Sequence, residues 1–376
     1  MNVLVTGGAG FIGTNLTRKL LTENCHVTIL DNFSEQIHGT SKILPPDIAG
    51  SVNLIVGDVR DPEVVARALQ GQDVLVHLAA ETGTGQSMYE VVRYEDVNLK
   101  GTAVIFDYLV NNKNHSIHKI VVASSRAVYG EGKYSCTSHG VVYPSKRKTS
   151  DLKAGLYDPL CPVCNATCSM LPTDEEARFS PSSFYGITKQ IQEQMTLLFA
   201  ESMGLSAYAL RYQNVYGPGQ SLKNPYTGIL AIFSNLARAG QPIYIFEDGQ
   251  ESRDFVYIDD VVEATWRSIS HTTPNTIAAL NVGSGEKTTV LEVVEKIVSY
   301  FGSSSKINVN GAFRDGDIRH NLADITRIRE KLGYEPRTLF AEGINKFLAW
   351  AETQQLESDK YEASLNEMKS KGLLHG

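Results

Sequence analysis

The sequence predicts an α/β protein, a doubly wound parallel sheet carrying a smaller α+β domain. Two observations carry that prediction. The first half alternates short, β-branched, near-continuously apolar runs with helical patterns, as in a parallel sheet covered on both faces. After about residue 213 the rhythm changes to short strands mixed with helices.

The strand candidates of the first half are NVLVT, HVTIL, VNLIV, DVLVHLA, KIVVAS and SAYALR. Helical patterns lie between them. In residues 12–22, Ile12, Leu16 and Leu20 recur at four-residue spacing. Further helices are expected over about 91–111 and 182–203. Beyond them, PIYIF, FVYI and KINVN read as strands, among helices at 227–239, 259–270, 288–301 and 340–353. These patterns divide the chain into a first domain, 1–212, and a second, mainly 213–355. The chain is expected to return to the first domain at about 254–283, near FVYIDD. Residues 356–376 read as a polar, frayed tail. Residues 131–178 fit neither half. They are rich in Pro, Ser, Cys and Lys without a sustained period, and a loop of that length needs a function or some other means of support.

Composition narrows the function classes. The 376 residues are 42% hydrophobic and 20% charged, with a formal net charge of −7. No basic field exists to recruit nucleic acid or an anionic membrane, so an anionic ligand must be met by local arginines and backbone amides. No apolar run reaches the ~20 residues of a membrane helix. The opening MNVLVTGG enters a strand at once, against a cleaved signal. The five cysteines, Cys25, Cys136, Cys161, Cys164 and Cys168, are an odd count that favours a reducing, cytoplasmic setting.

The chemistry begins at TGGAGFIG, between the first strand and the first helix. Gly7, Gly10 and Gly13, with Phe11 and Ile12 between the last two, form a turn whose backbone can approach a pyrophosphate at a helix N-terminus. The sheet is therefore expected to be of the Rossmann type. Asp31 ends the second strand, 18 residues past Gly13, where a carboxylate can accept from both ribose hydroxyls and repel a 2′-phosphate. No arginine is near in sequence, so NAD is expected over NADP. Asp58 ends the third strand, within reach of an adenine. A catalytic pair is suggested by Tyr185 and Lys189, Y-x-x-x-K at the start of a helix. The spacing puts both side chains on one face, where an ammonium would favour phenolate.

Together, TGGAGFIG, HLAA (77–80), VNLKGT (97–102), SSRAVYG (124–130), SFYGITK, LRYQNVYGPGQ, RDFVYIDDV and GDIRHNLAD resemble the extended short-chain dehydrogenase/reductases that act on nucleotide sugars. The resemblance runs from residue 1 to about 350. It implies NAD contacts at Gly7, Gly10, Phe11, Ile12, Gly13, Asp31, Asn32, Asp58, Val59, Leu78, Ala79, Ala80, Asn98, Tyr185 and Lys189. It makes Ser125 the catalytic hydroxyl that shares a proton with Tyr185. It places a nucleotide sugar against Ser125, Arg126, Asn214, Arg253 and Arg314, and it implies a homodimer. In the family's 4,6-dehydratases the residues after the hydroxyl are Asp and Glu. Here they are Arg126 and Ala127, which cannot move protons near pH 7. The heptapeptide thus fits oxidation and re-reduction at one carbon, a 4-epimerase. Arg126 is expected either to touch substrate or, as arginines more commonly do, to pair with an acid. Residues 217–233 and the cysteine segment resemble a narrower group, the dTDP-L-rhamnose 4-epimerases, with UDP-hexose or UDP-uronate 4-epimerases as the alternative.

The cysteine segment separates Ser125 from Tyr185 by 60 residues, more than most of these relatives use. It contains Cys161 and Cys164 as C-x-x-C, and upstream Cys136 and His139 at the same gap. Two such pairs could close a tetrahedral zinc site, with Cys168 as an alternative ligand. A redox pair and free thiols are the other possibilities. Pro162 and Pro172 frame a loop, against the redox pair.

Overall fold

A computed structural model describes residues 1–222, 224, 228–356 and 361–376. Seven strands form one parallel sheet: β1 (Asn2–Thr6), β2 (His26–Asp31), β3 (Asn53–Val56), β4 (Val74–His77), β5 (Lys119–Ser125), β6 (Ser206–Tyr212) and β7 (Ile277–Val282). Their spatial order is β3-β2-β1-β4-β5-β6-β7. The order reverses beside β1, the switch point at which such sheets bind ligands outside the carboxyl ends of their strands.

Alternation along the strands supplies two cores. Val3, Val5, Val27, Ile29, Val74 and Val76 face α1 (Phe11–Thr22), where they meet Leu16 and Leu20. Leu4, Leu30, Leu75 and Ile120 face the opposite way, onto α2 (Pro62–Leu69), α3 (Gly101–Asn111) and α4 (Phe184–Met203). Local sequence sets the helix ends. Asp61 caps α2 by accepting from the amides of Glu63 and Val64, with Pro62 in the first turn. Ser183 caps α4 by accepting from the Gly186 amide, and Gly204 ends that helix at φ +67°.

The pattern over 91–111 is interrupted. A helix at Val91–Glu95 passes through a π turn at Asp96–Lys100 before α3 begins. The seventh strand was not foreseen. Phe255–Tyr257, expected to mark the return, pairs instead with Asn214–Tyr216, and the strand that rejoins the sheet is β7. Its sequence, IAALNV, lacks the β-branched density of the others. Between these strands α5 (Ile258–Ser270) covers the α1 face. The helices Ile229–Arg238, Val290–Phe301 and Phe340–Glu352 complete the second lobe, and its core is continuous with that of the first.

The tail differs from expectation. Residues 361–370 form a helix, and Leu374–His375 pairs antiparallel with Phe313–Arg314. Met368 is buried, which anchors a segment that reads as polar. Residues 131–178 hold a small antiparallel sheet of Gly140–Val142, Tyr134–Cys136 and Ser169–Met170. Of the stretch 217–233, residues 223 and 225–227 lie outside the described residues, as do residues 357–360 of the tail.

Candidate active site

The glycine turn joins β1 to α1. Gly7 adopts φ +69°, and a Cβ there would stand 2.7 Å from the Ala79 amide nitrogen; a Cβ on Gly13 would stand 2.6 Å from the Gly7 carbonyl oxygen. Side chains at either place would fill the cradle. The helix begins at Gly10 without a side-chain cap, so its first amides remain open to a ligand. Phe11 and Ile12 follow in the first turn of α1. Leu78, Ala79 and Ala80 leave β4 beside this turn, with Leu78 N–H donating to the Thr6 carbonyl at 3.0 Å.

Asp31 ends β2. One of its oxygens accepts from the Ala9 amide at 2.9 Å and the other from the Phe33 amide at 2.8 Å. The carboxylate therefore fixes the glycine turn, and each oxygen keeps a second lone pair. Asp58 is more fully committed. Arg60 donates to both its oxygens at 2.8 Å, and Asn32 donates to one at 3.0 Å. Those bonds, led by Arg60, hold its pKa down to about 2. Val59 is buried beside it. Sequence placed no arginine here, yet Arg60 and Arg93 line the cleft with Asn32 and Glu81. Both are tied to carboxylates: Arg60 to Asp58 and Asp96, Arg93 to Glu81 and Glu90. Asn98 lies in the π turn, fully buried. It donates to Thr188 Oγ1 at 2.9 Å and to the Glu81 carbonyl at 3.2 Å, tying α4 to the loop after β4.

The heptapeptide turns sharply where β5 ends. Ser124 Oγ donates to Glu193 on α4 at 2.5 Å, so the first hydroxyl is spent on structure. Ser125 caps the next turn, Arg126–Tyr129, by accepting from the Ala127 amide at 3.1 Å, and its hydroxyl acts on the Tyr185 phenol. Gly186 makes that meeting possible, because a Cβ there would stand 2.6 Å from the Ala127 carbonyl. Burial pushes the Tyr185 phenol up, while Ser125 and the Arg126 charge pull it down.

Lys189 lies one turn on from Tyr185 along α4. Its ammonium donates to the Ala123 carbonyl at 2.9 Å and to Gln192 at 2.8 Å, deep in the core. A buried ammonium requires such partners, and burial still brings its pKa down to about 7. Gln192 in turn donates to Thr102 Oγ1 at 2.9 Å, and Thr102 Oγ1 lies 3.0 Å from His77 Nε2. These polar contacts fasten α4 to β4 by way of α3.

Arg126 makes no ion pair with an acid among the described residues. Its charge senses Arg253, Asp317 and Tyr185, and burial lowers its pKa to about 10. The acid partner foreseen for it is absent because Asp317 is taken by Arg314, whose Nε donates to it at 2.8 Å. Arg253 does not pair with the adjacent Asp254, which is buried and accepts from the Ser284, Gly285 and Ala323 amides. Its guanidinium instead donates to the carbonyls of Ser252, Ile318 and Arg319. Asn214 keeps a buried Oδ1 with no hydrogen-bond partner among the described residues. Arg126, Arg253 and Arg314 thus gather around Asp317, and the Arg126 charge is also felt at Tyr185.

Sequence reasoning missed a largely buried ionic cluster beside Arg253. Arg147 binds Glu131 at 3.0 Å and Glu247 at 2.8 Å, and Arg319 binds Glu247, Asp248 and Asp158. Its members come from the 131–178 segment and the second lobe, too far apart in sequence to form a motif.

Residues 3–147 match the NAD dependent epimerase/dehydratase family, and residues 167–347 match GDP-mannose 4,6 dehydratase. The unmatched stretch between them falls inside the cysteine segment. The chain is 38% identical to a dTDP-L-rhamnose 4-epimerase of Burkholderia thailandensis, over 93% of this chain and 94% of that one. A UDP-glucose 4-epimerase of Thermotoga maritima, solved with UDP-glucose, superimposes with a TM-score of 0.76 at 28% identity, over 94% and 99% of the two chains. MoeE5, solved with UDP-glucuronic acid and NAD, superimposes with a TM-score of 0.74 at 28% identity, also over 94% and 99%.

Proposed function

Because the chain belongs to the NAD dependent epimerase/dehydratase family, a family of nucleotide-sugar enzymes, we propose that it inverts C4 of a nucleotide sugar, with dTDP-L-rhamnose and dTDP-6-deoxy-L-talose as the favoured pair. One observation carries the choice of reaction. Ser125 at the end of β5 acts on the Tyr185 phenol and pulls it down, and the positions after Ser125 hold Arg126 and Ala127 instead of a proton-transferring pair. Proton transfer to one sugar oxygen is provided for; removal of water is not.

The glycine cradle and the uncapped start of α1 fit the pyrophosphate of NAD, and Asp31 fits its ribose hydroxyls. Bound NAD supplies a hydride acceptor and donor. Tyr185 takes the C4 hydroxyl proton while Ser125 hydrogen-bonds the same oxygen, leaving a 4-keto sugar. After the sugar turns, Tyr185 returns the proton as hydride is delivered to the other face. Arg253 and Arg314 bind the diphosphate, where planar guanidinium groups suit paired oxygens. Arg126 stabilises the phenolate.

The choice of sugar rests on the 38% identity to the rhamnose enzyme. UDP-hexoses and UDP-uronates are the second reading, favoured by the structural likeness to enzymes solved with UDP-glucose and UDP-glucuronic acid. The test is incubation in D2O with dTDP-L-rhamnose, UDP-glucose and UDP-glucuronate, followed by proton NMR. We expect inversion at C4 of dTDP-L-rhamnose with protium retained there. Loss of water from the sugar, or deuterium entering at C5, would rule out the mechanism. Turnover of a UDP-sugar alone would overturn the substrate.

A further inference from the structure

We propose that Cys136, His139, Cys161 and Cys164 form a structural zinc site that clamps together the two hairpins of the 131–178 segment. The four donors come from two hairpin turns. In one, Tyr134–Cys136 pairs antiparallel with Gly140–Val142, and Cys136 lies opposite Gly140. In the other, Leu160 bridges Thr167, the Cys161 amide donates to the Ala166 carbonyl at 2.8 Å, and Asn165 turns the chain at φ +57°. Each hairpin offers two donors separated by two residues.

The donor atoms all lie within 4.8 Å of one another. Cys136 Sγ is 3.7 Å from Cys164 Sγ and 3.6 Å from His139 Nδ1, and Cys161 Sγ is 3.5 Å from the same nitrogen. Bonds of about 2.3 Å to sulfur and about 2.0 Å to nitrogen give a tetrahedral ion edges of about 3.8 Å between sulfurs and about 3.5 Å between sulfur and nitrogen. The three separations match those edges. They are far beyond the ~2.05 Å of a disulfide. The Val163 amide donates to Cys161 Sγ at 3.5 Å, the kind of outer bond that orients a ligand sulfur. Cys168 is a spare thiol: its Sγ donates to the Ala166 carbonyl, and it packs in the small core outside the four-donor group.

The two hairpins have little apolar core of their own. Their buried cluster is Tyr134, Cys136, Val142, Cys161 and Cys168, so most of that core is cysteine. Metal binding supplies folding free energy where burial does not. The stakes reach the site, because this segment contributes Glu131, Arg147 and Asp158 to the ionic cluster with Glu247, Asp248 and Arg319. Arg319 also offers its carbonyl to Arg253.

Metal analysis of tag-free protein purified without added metal tests the site, beside Cys164→Ser and Cys168→Ser. Cys164 is exposed, so its replacement leaves the packing intact. We expect about one zinc per chain in the parent and in Cys168→Ser, and less than about a fifth of that in Cys164→Ser. Cobalt-loaded parent should show the intense visible absorption of a tetrahedral thiolate site. Retained NAD binding in Cys164→Ser would show that the metal was lost without unfolding; if that variant fails to fold, the parent's stoichiometry and cobalt spectrum decide. Folded parent with less than about a tenth of an equivalent of zinc, an intact mass showing a disulfide, or equal loss of zinc in both variants would overturn the proposal.

Discussion

Arg126 is the residue whose surroundings matter most and whose sequence says least. It follows Ser125 directly, and its charge acts on Tyr185, whose phenol burial pushes up. Turnover needs the phenolate, so activity rises with pH through the Tyr185 pKa. Removing the cation raises that pKa further. Arg126→Met should therefore shift the acidic limb of the kcat/KM profile to higher pH, with the largest loss near neutrality and partial recovery in alkali. Tyr185→Phe should lose about 10²–10⁴-fold at every pH while still binding NAD. A profile for Arg126→Met that keeps its shape and only falls in height would refute the electrostatic role. Ser125, Tyr185 and Lys189 were legible in the sequence because short motifs place them. The partners of Arg126 and Lys189 were not, since Arg253, Asp317, Ala123 and Gln192 reach them only through the fold.

Among elements, α4 bears the heaviest duty, and a buried ion pair sets its position. Arg211 on β6 donates to both oxygens of Glu193, and Glu193 also accepts from Ser124; both charged residues are almost wholly buried. Arg211 further lies 4.9 Å from the Tyr129 ring and 5.0 Å from that of Phe179. Breaking such a pair from one side leaves an uncompensated buried charge. Glu193→Ala should cost about 3–5 kcal/mol in urea unfolding, and adding Arg211→Met should restore much of it. If Glu193→Ala unfolds like the parent, the pair is not what fixes α4. Sequence showed α4 as a helix over about 182–203, but it showed nothing of this tie. The same limit explains the π turn. Periodicity reports a helix over 91–111, whereas the widened turn follows from Asn98 being drawn toward the loop after β4.

At the scale of the whole molecule, the first six strands were readable as apolar runs, and the second lobe as a change of rhythm. The seventh strand was not, because an edge strand buried by its neighbours needs few β-branched residues of its own. Its position has a consequence for the order of folding. Ile277 pairs with Ala207 and Val282 with Tyr212, so the final strand waits until the intervening residues 213–276 have been made and threaded past. Parallel pairings of such long sequence separation close slowly. Until β7 arrives, β6 is an open apolar edge, the kind that recruits other chains. A chain ended at Ser270 should therefore aggregate on refolding by light scattering, even though it keeps the glycine turn, Ser125, Tyr185 and Lys189. In pulse-labelled hydrogen exchange on the full chain, β7 should gain protection after β1, β2 and β4. Early protection of β7 would show that the sheet instead nucleates from its far edge.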